Sequence, residues 1–203
     1  MENEVQSLTL TNMKRIKLLI AAIAVSVFGI NASAQYWGES EVTNYVYAGF
    51  TSLKVGETLP GFHIGLGDLN QMNMGNIFWD YNIELAYNAK SENGAKDKTL
   101  NFKYAMDLLY KFDASENTFI FPFVGIACRP FITGKSSLDG FGDVNWFKSD
   151  EGNGNRFQAG LQAGVHAFIG KIMLRAEYQY YLTKVFKGGD NTSAIALSIG
   201  YRF

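Results

Sequence analysis

His63 and His166 are the only two histidines in the chain, so any acid–base chemistry would have to begin with them. A catalytic histidine needs a proton to move and a substrate within reach. His166 shares a face with Gln162 and Gly164 along a strand-like run and falls opposite Arg175 across a tight turn, so it reads as a satisfied interior group. His63, between Phe62 and Ile64, receives the same reading. Glu84 with Asp80 or Asp107 could be imagined as a carboxylate pair, but Lys103, Lys111, Arg175, Glu177 and Arg202 occupy the same kind of face, and ion pairing among them accounts for these charges. In the stretch 130–155, Asp139, Asp143, Asn145, Asp150 and Glu151 offer oxygens of the type that hold calcium, in a spacing that matches no EF-hand loop. Solvated loop acids are the expectation there. Cys128 is the single cysteine and reads as a small apolar group on an outward face. Nothing here predicts an enzyme, a cofactor or a metal.

The elements that carry these side chains are strands, and the end of the chain shows it best. Ile172, Leu174, Ala176, Tyr178, Tyr180 and Leu182 alternate with Met173, Arg175, Glu177, Gln179 and Tyr181, a period of two. The pattern restarts after Lys187–Asn191, with Ile195, Leu197, Ile199, Tyr201 and Phe203 against Ala194, Ala196, Ser198, Gly200 and Arg202. Eight such runs are expected, at about 43–54, 60–69, 76–89, 98–112, 117–129, 156–169, 171–184 and 192–203. In the third, Ile77, Trp79, Tyr81 and Ile83 oppose Phe78, Asp80, Asn82 and Glu84. Tyr45 to Phe50 can be read in either register, and Phe119 to Phe123 is apolar on both faces.

Gly170-Lys171 is a two-residue turn of the kind that sets register. It places His166 opposite Arg175, Gly164 opposite Glu177 and Gln162 opposite Gln179, so the polar faces of both strands coincide. If the turn after the third strand is symmetric, Glu84 faces Lys103 and Asp80 faces Asp107, which then needs a nearby cation such as Lys111 or Arg129, or a shifted register. Lys54–Leu59, Lys90–Asp97, Pro130–Asn155 and Lys184–Asn191 are expected to be the outer connections.

One face is continuous and aromatic, and the other mixes charges with glycine, alanine and amides. The expectation is an all-β, eight-stranded antiparallel up-and-down transmembrane β-barrel with its apolar face outward. A soluble lipocalin-like carrier with the faces reversed is the competing closed architecture; a water-exposed face of Trp79, Tyr81, Tyr104, Tyr178 and Tyr201 argues against it. Overall charge is nearly balanced, 18 Lys and Arg against 19 Asp and Glu, so no nucleic-acid partner is expected.

Residues 13–34 read as a secretory signal: Lys14, Arg15 and Lys17, an apolar run from Leu18 to Ile30, then Ala32-Ser33-Ala34. Residues 1–12 precede it as an upstream extension, and 35–203 form a single barrel domain. With the ending Ser198-Ile199-Gly200-Tyr201-Arg202-Phe203, the chain resembles the small OmpA/OmpX-type outer-membrane barrel proteins of Gram-negative envelopes. That resemblance implies an outer-membrane location in the lipid bilayer, and it implies that Ile199, Tyr201 and Phe203 are the signal read by the barrel-assembly machinery. The chain departs from the two-domain members in having no peptidoglycan-binding domain, so no cell-wall tether is expected. Phe141, Trp146 and Phe147 in the long outer loop are the candidate contacts for an extracellular protein or surface, with covering of the barrel mouth or dipping into lipid as equal readings. The expected role is structural or interactive and non-enzymatic, with a narrow porin-like channel as the alternative.

Overall fold

The computed structural model describes residues 42–72, 75–138 and 142–203. The expected secretory signal at 13–34, Asp139 and Phe141 lie outside these. Among the described residues, ten strands form one sheet: β1 (Val42–Val55), β2 (Glu57–Gln71), β3 (Ile77–Glu92), β4 (Ala95–Tyr110), β5 (Phe112–Ser115), β6 (Thr118–Leu138), β7 (Gly142–Asn145), β8 (Phe157–Ile169), β9 (Ile172–Tyr181) and β10 (Ser193–Arg202). Eight of them close a barrel in which every pairing is antiparallel; β1 meets β10, and β4 meets β6. The two short strands are accessories, since β5 extends the β4–β6 turn and β7 folds back on the outer end of β6.

Period-two chemistry explains why the chain closes in this register. A one-residue slip would drive Asp80, Lys103 and Arg175 into lipid and Trp79, Tyr104 and Leu174 into the interior. Two tyrosines fix β1, whose sequence alone allows either register. Tyr45 and Tyr47 point inward because their neighbours across the ladder are Gly67 and Gly65. A Cβ on Gly65 would sit 2.2 Å from the Tyr47 ring, so the large side chains need those gaps.

The outer connections differ from the expectation. β1 and β2 run on to a turn at Gly56, and β3 and β4 continue to Asn93-Gly94, both with positive φ. Asn-Gly is a favoured hairpin turn because both positions tolerate φ > 0. The stretches 54–59 and 90–97 are therefore mostly ladder, not loop. β6 likewise runs nine residues past the expected end at 129, to Leu138.

The barrel interior has three layers. Nearest the chain's last residue, Tyr45, Tyr47, Leu69, Phe78, Leu109, Phe121, Phe123, Phe168 and Met173 form an apolar cluster. A second cluster of Leu53, Leu59, Phe131, Trp146, Val185 and Ala194 fills the opposite, outer mouth. The charged side chains lie between them.

Candidate functional site

The middle layer is built from inward positions of β3, β4, β6, β8 and β9. Asp80, Glu84, Lys103, Asp107, Arg129, His166, Arg175 and Glu177 are all buried there. Asp80 does face Asp107, and Glu84 faces Lys103. The cation that reconciles the two aspartates is Arg175, which reaches across the lumen from β9. Its guanidinium lies 3.2 Å from Asp80 and 3.1 Å from Asp107, and it donates to Glu177 at 2.6 Å. Lys111 and Arg129 do not fill that role. Arg129 donates to the Tyr181 hydroxyl at 2.8 Å and to Gln179 at 2.6 Å, and it also bonds Asn101.

The remaining lone pairs of the aspartates are met by neutral donors. The Tyr45 hydroxyl donates to both oxygens of Asp80, at 2.8 and 2.7 Å, and Asn82 donates to Asp80 at 3.0 Å and Asp107 at 3.1 Å. Gln162 donates to both Asp107 oxygens at 2.6 and 2.8 Å. Lys103 bridges Glu177 and Glu84, the latter at 3.0 Å. A buried charge is tolerated best when paired and hydrogen-bonded; Asp80, Asp107 and Glu177 meet both conditions, while Glu84 is held by charge contacts alone, to Lys103 at 3.0 Å and Arg129 at 3.7 Å, and the layer links five walls of the barrel.

Lys111 and Arg202 lie outside this layer. Both are partly exposed at the rim nearest the chain's last residue, where Lys111 is 3.4 Å from Asp113 and 4.4 Å over the Phe119 ring. The Arg202 guanidinium caps Phe119 and Phe168 at 5.7 and 5.6 Å. Ile199 and Tyr201 face outward on β10, and Phe203 is exposed just beyond it, its amide bonded to the Asn44 carbonyl at 3.0 Å.

Two constellations could be mistaken for chemistry. Oxygens of Asp80 and Asp107 and a ring nitrogen of His166 lie within 4.8 Å of one another, the spacing of a metal-ligand set. Arg175 occupies that position instead, with its guanidinium 2.8 Å from His166 Nε2. His63 Nε2 pairs with Ser198 Oγ at 2.7 Å, which is two thirds of a nucleophile–base–acid arrangement. Among the described residues its Nδ1 meets no hydrogen-bonding group, and both residues are buried in the barrel wall's inner face. The pair ties β2 to β10.

Trp146 of the long loop covers the barrel mouth, one of the three equal readings of its aromatics. It is 4 % exposed, turned inward over the barrel mouth, and its indole donates to Ser136 Oγ at 2.7 Å. Phe147 packs beside Phe131 with ring centres 5.6 Å apart, under the Arg156 guanidinium. The reason is steric as well as hydrophobic: Gly134, Gly152 and Gly154 clear the room that the indole and its backbone fill. Trp146 is buried and Phe147 half-buried. Of the acids considered for calcium, Asp143 accepts from Ser137 at 2.6 Å, and Glu151 pairs with Lys148 at 2.7 Å. The Ser137 hydroxyl, helped by Lys135 and Lys98, holds the Asp143 carboxyl below the usual carboxylate range. Its hydrogen bond to Lys148 does the same for Glu151.

Comparison with known proteins agrees with this architecture. Residues 20–203 match the family model of the outer membrane protein beta-barrel domain. Among solved structures, neisserial surface protein A is 18% identical with a TM-score of 0.50, covering 80% of this chain and 97% of its own. The attachment invasion locus protein Ail of Yersinia pestis is 15% identical with a TM-score of 0.49, over 81% and 99%. A major outer membrane protein of Thermus thermophilus is 13% identical with a TM-score of 0.48, over 80% and 100%. At these identities the likeness is one of fold. None of the curated proteins matches the chain in sequence.

Proposed function

The chain belongs to the outer membrane protein β-barrel domain family, and from that premise we propose that it is a sealed, non-enzymatic barrel acting through its outer rim. The observation that carries this reading is the filling of the lumen. A fully buried charged layer lies between two apolar clusters, with Arg129, Lys103 and His166 all at 0% exposure. An eight-stranded barrel is narrow enough for side chains to fill it, and a solute would have to displace a network whose charges depend on one another.

Residues 13–34 serve as the export signal in this reading, 35–203 as the barrel, and Ile199, Tyr201 and Phe203 as the contact for the assembly machinery. The ladder that projects beyond the membrane, β6 with β7 and the β3–β4 hairpin, supplies the surface open to an extracellular partner. Planar-bilayer recording of the refolded protein tests the proposal. No stable conductance is expected for the native chain, whereas Arg175→Ala should give leak. Stable steps from the native protein that change amplitude on neutralising Glu84 would favour the channel instead.

A further inference from the structure

The mouth of the barrel nearest the chain's last residue holds a cavity that the charged middle layer does not use. It measures about 250 Å³, the space of roughly eight waters. Phe78, Phe119, Phe121 and Phe168 wall it, and its charged lining residues, Lys111 and Arg202, are both cations. The rings form an ordered set. Phe78 meets Phe121 edge to face at 5.2 Å and Phe121 meets Phe168 at 5.7 Å, so one more aromatic ring would extend a packing already begun.

The two cations differ in their surroundings. Lys111 is engaged by Asp113 at 3.4 Å. Arg202 meets the Phe119 and Phe168 rings, and among the described residues it stands in no ion pair within 4.0 Å. A guanidinium partly withdrawn from water over two rings is a place where a carboxylate gains a charge-assisted hydrogen bond.

The chain enters the barrel at this same cavity. Thr43, at the start of β1, is part of the lining and pairs with Leu69 of β2. Immediately before β1 the sequence reads Gln35-Tyr36-Trp37-Gly38-Glu39-Ser40-Glu41, two aromatics and then two acids, with no cation. Trp37 is five residues from Val42, a reach of about 16 Å in extended chain. That is ample for a turn back into a cavity that begins at Thr43.

We propose that, given an export signal that ends at Ala34, residues 35–41 of the exported chain dock into this mouth, with Trp37 among the four phenylalanine rings and Glu39 paired with Arg202. The indole and the rings remove each other's apolar surface from water, and the acid supplies the anion that the guanidinium lacks. Docked in this way, the segment closes the mouth opposite Trp146. An aromatic side chain then covers each end of the charged layer.

Cells expressing the full chain supply the protein for the test, and intact mass of the detergent-solubilised product fixes where it starts. In a Cys128→Ala background, Trp37→Cys is combined with Phe119→Cys, inside the mouth, or with Ile120→Cys, the next residue of β6 and exposed on the outward face. Mild oxidation should join the Phe119 pair about fivefold faster than the Ile120 pair. A Glu-specific protease gives a readout without engineered thiols. Cleavage after Glu39 should be slow in the native protein and about tenfold faster in Arg202→Gln, with Arg202→Lys staying within about twofold of native. Unboiled gel mobility verifies that every variant is folded. Equal cross-linking to positions 119 and 120 would overturn the docking, and so would equal cleavage of the native protein and Arg202→Gln. A product that begins after Trp37 would overturn the export reading together with the docking, whereas a start at Gln35 with failed cross-linking overturns the docking alone.

Discussion

Replacing Arg175 by methionine removes a charge while keeping most of the side chain's length, and it isolates the electrostatic logic of the middle layer. In the native barrel, Arg175 stands 3.2 Å from Asp80 and 3.1 Å from Asp107. Without it, two carboxylates whose oxygens lie within 4.8 Å face each other in the interior. At an effective dielectric of 20 their repulsion is about 3.5 kcal/mol, and removing one member of a buried pair commonly costs about 3–5 kcal/mol. Lys103 cannot substitute, being engaged with Glu84 and Glu177. Urea unfolding of the refolded protein in lipid vesicles, followed by gel mobility, should therefore register a loss of about 3–5 kcal/mol. The decisive control is the triple variant Arg175→Met, Asp80→Asn, Asp107→Asn. It should regain most of that loss, because a neutral hydrogen-bonded layer has no charge left stranded. A cost below about 1 kcal/mol for Arg175→Met, of the size expected for an exposed pair, would refute the claim that this guanidinium holds the two aspartates together. So would a triple variant less stable than the single one.

Other substitutions probe the remaining layers. Gly67→Ala would set a Cβ 2.1 Å from the Tyr45 ring; the folded fraction on unboiled gels should fall sharply, and Tyr45→Ala in the same chain should restore part of it. Trp146→Ala empties the centre of the outer cluster and should cost about 3–5 kcal/mol. Limited proteolysis of that variant should cut at Lys148 while sparing the membrane-spanning strands. Phe203→Ala removes a side chain that is exposed in the folded barrel, so equilibrium stability should hold, whereas assembly into the outer membrane, followed by the rate of appearance of the fast-migrating form, should slow several-fold.

Much of the fold is legible in the sequence because a period-two pattern and a short turn fix neighbours along the sheet. Gly170-Lys171 sets His166 against Arg175, and a symmetric turn at Asn93-Gly94 sets Asp80 against Asp107. What lies across the lumen is not legible. Arg175 meets Asp80 and Asp107 only because closure brings β9 over β3 and β4, a relation that no strand register contains. Tyr45 and Tyr47 are ambiguous within β1, and their signal sits in another strand, as the Gly65-x-Gly67 gap that admits them. The direction of Trp146 is hidden for a similar reason: aromatics in a polar loop look the same whether they point out or in, and the glycines that clear its place are up to twelve residues away in sequence, at Gly134. The meeting of Lys98 and Lys135 is hidden too, because the register of β4 on β6 shifts between Leu100 and Asn101.

Every assignment of inside and outside depends on which face of the sheet meets lipid. Fractionation of cells expressing the full chain, followed by gel electrophoresis with and without boiling, measures that directly. The protein should be recovered in the outer membrane and migrate faster unboiled, as a closed detergent-resistant barrel does. Recovery as a soluble periplasmic protein with no change in mobility would contradict this and reverse the two faces.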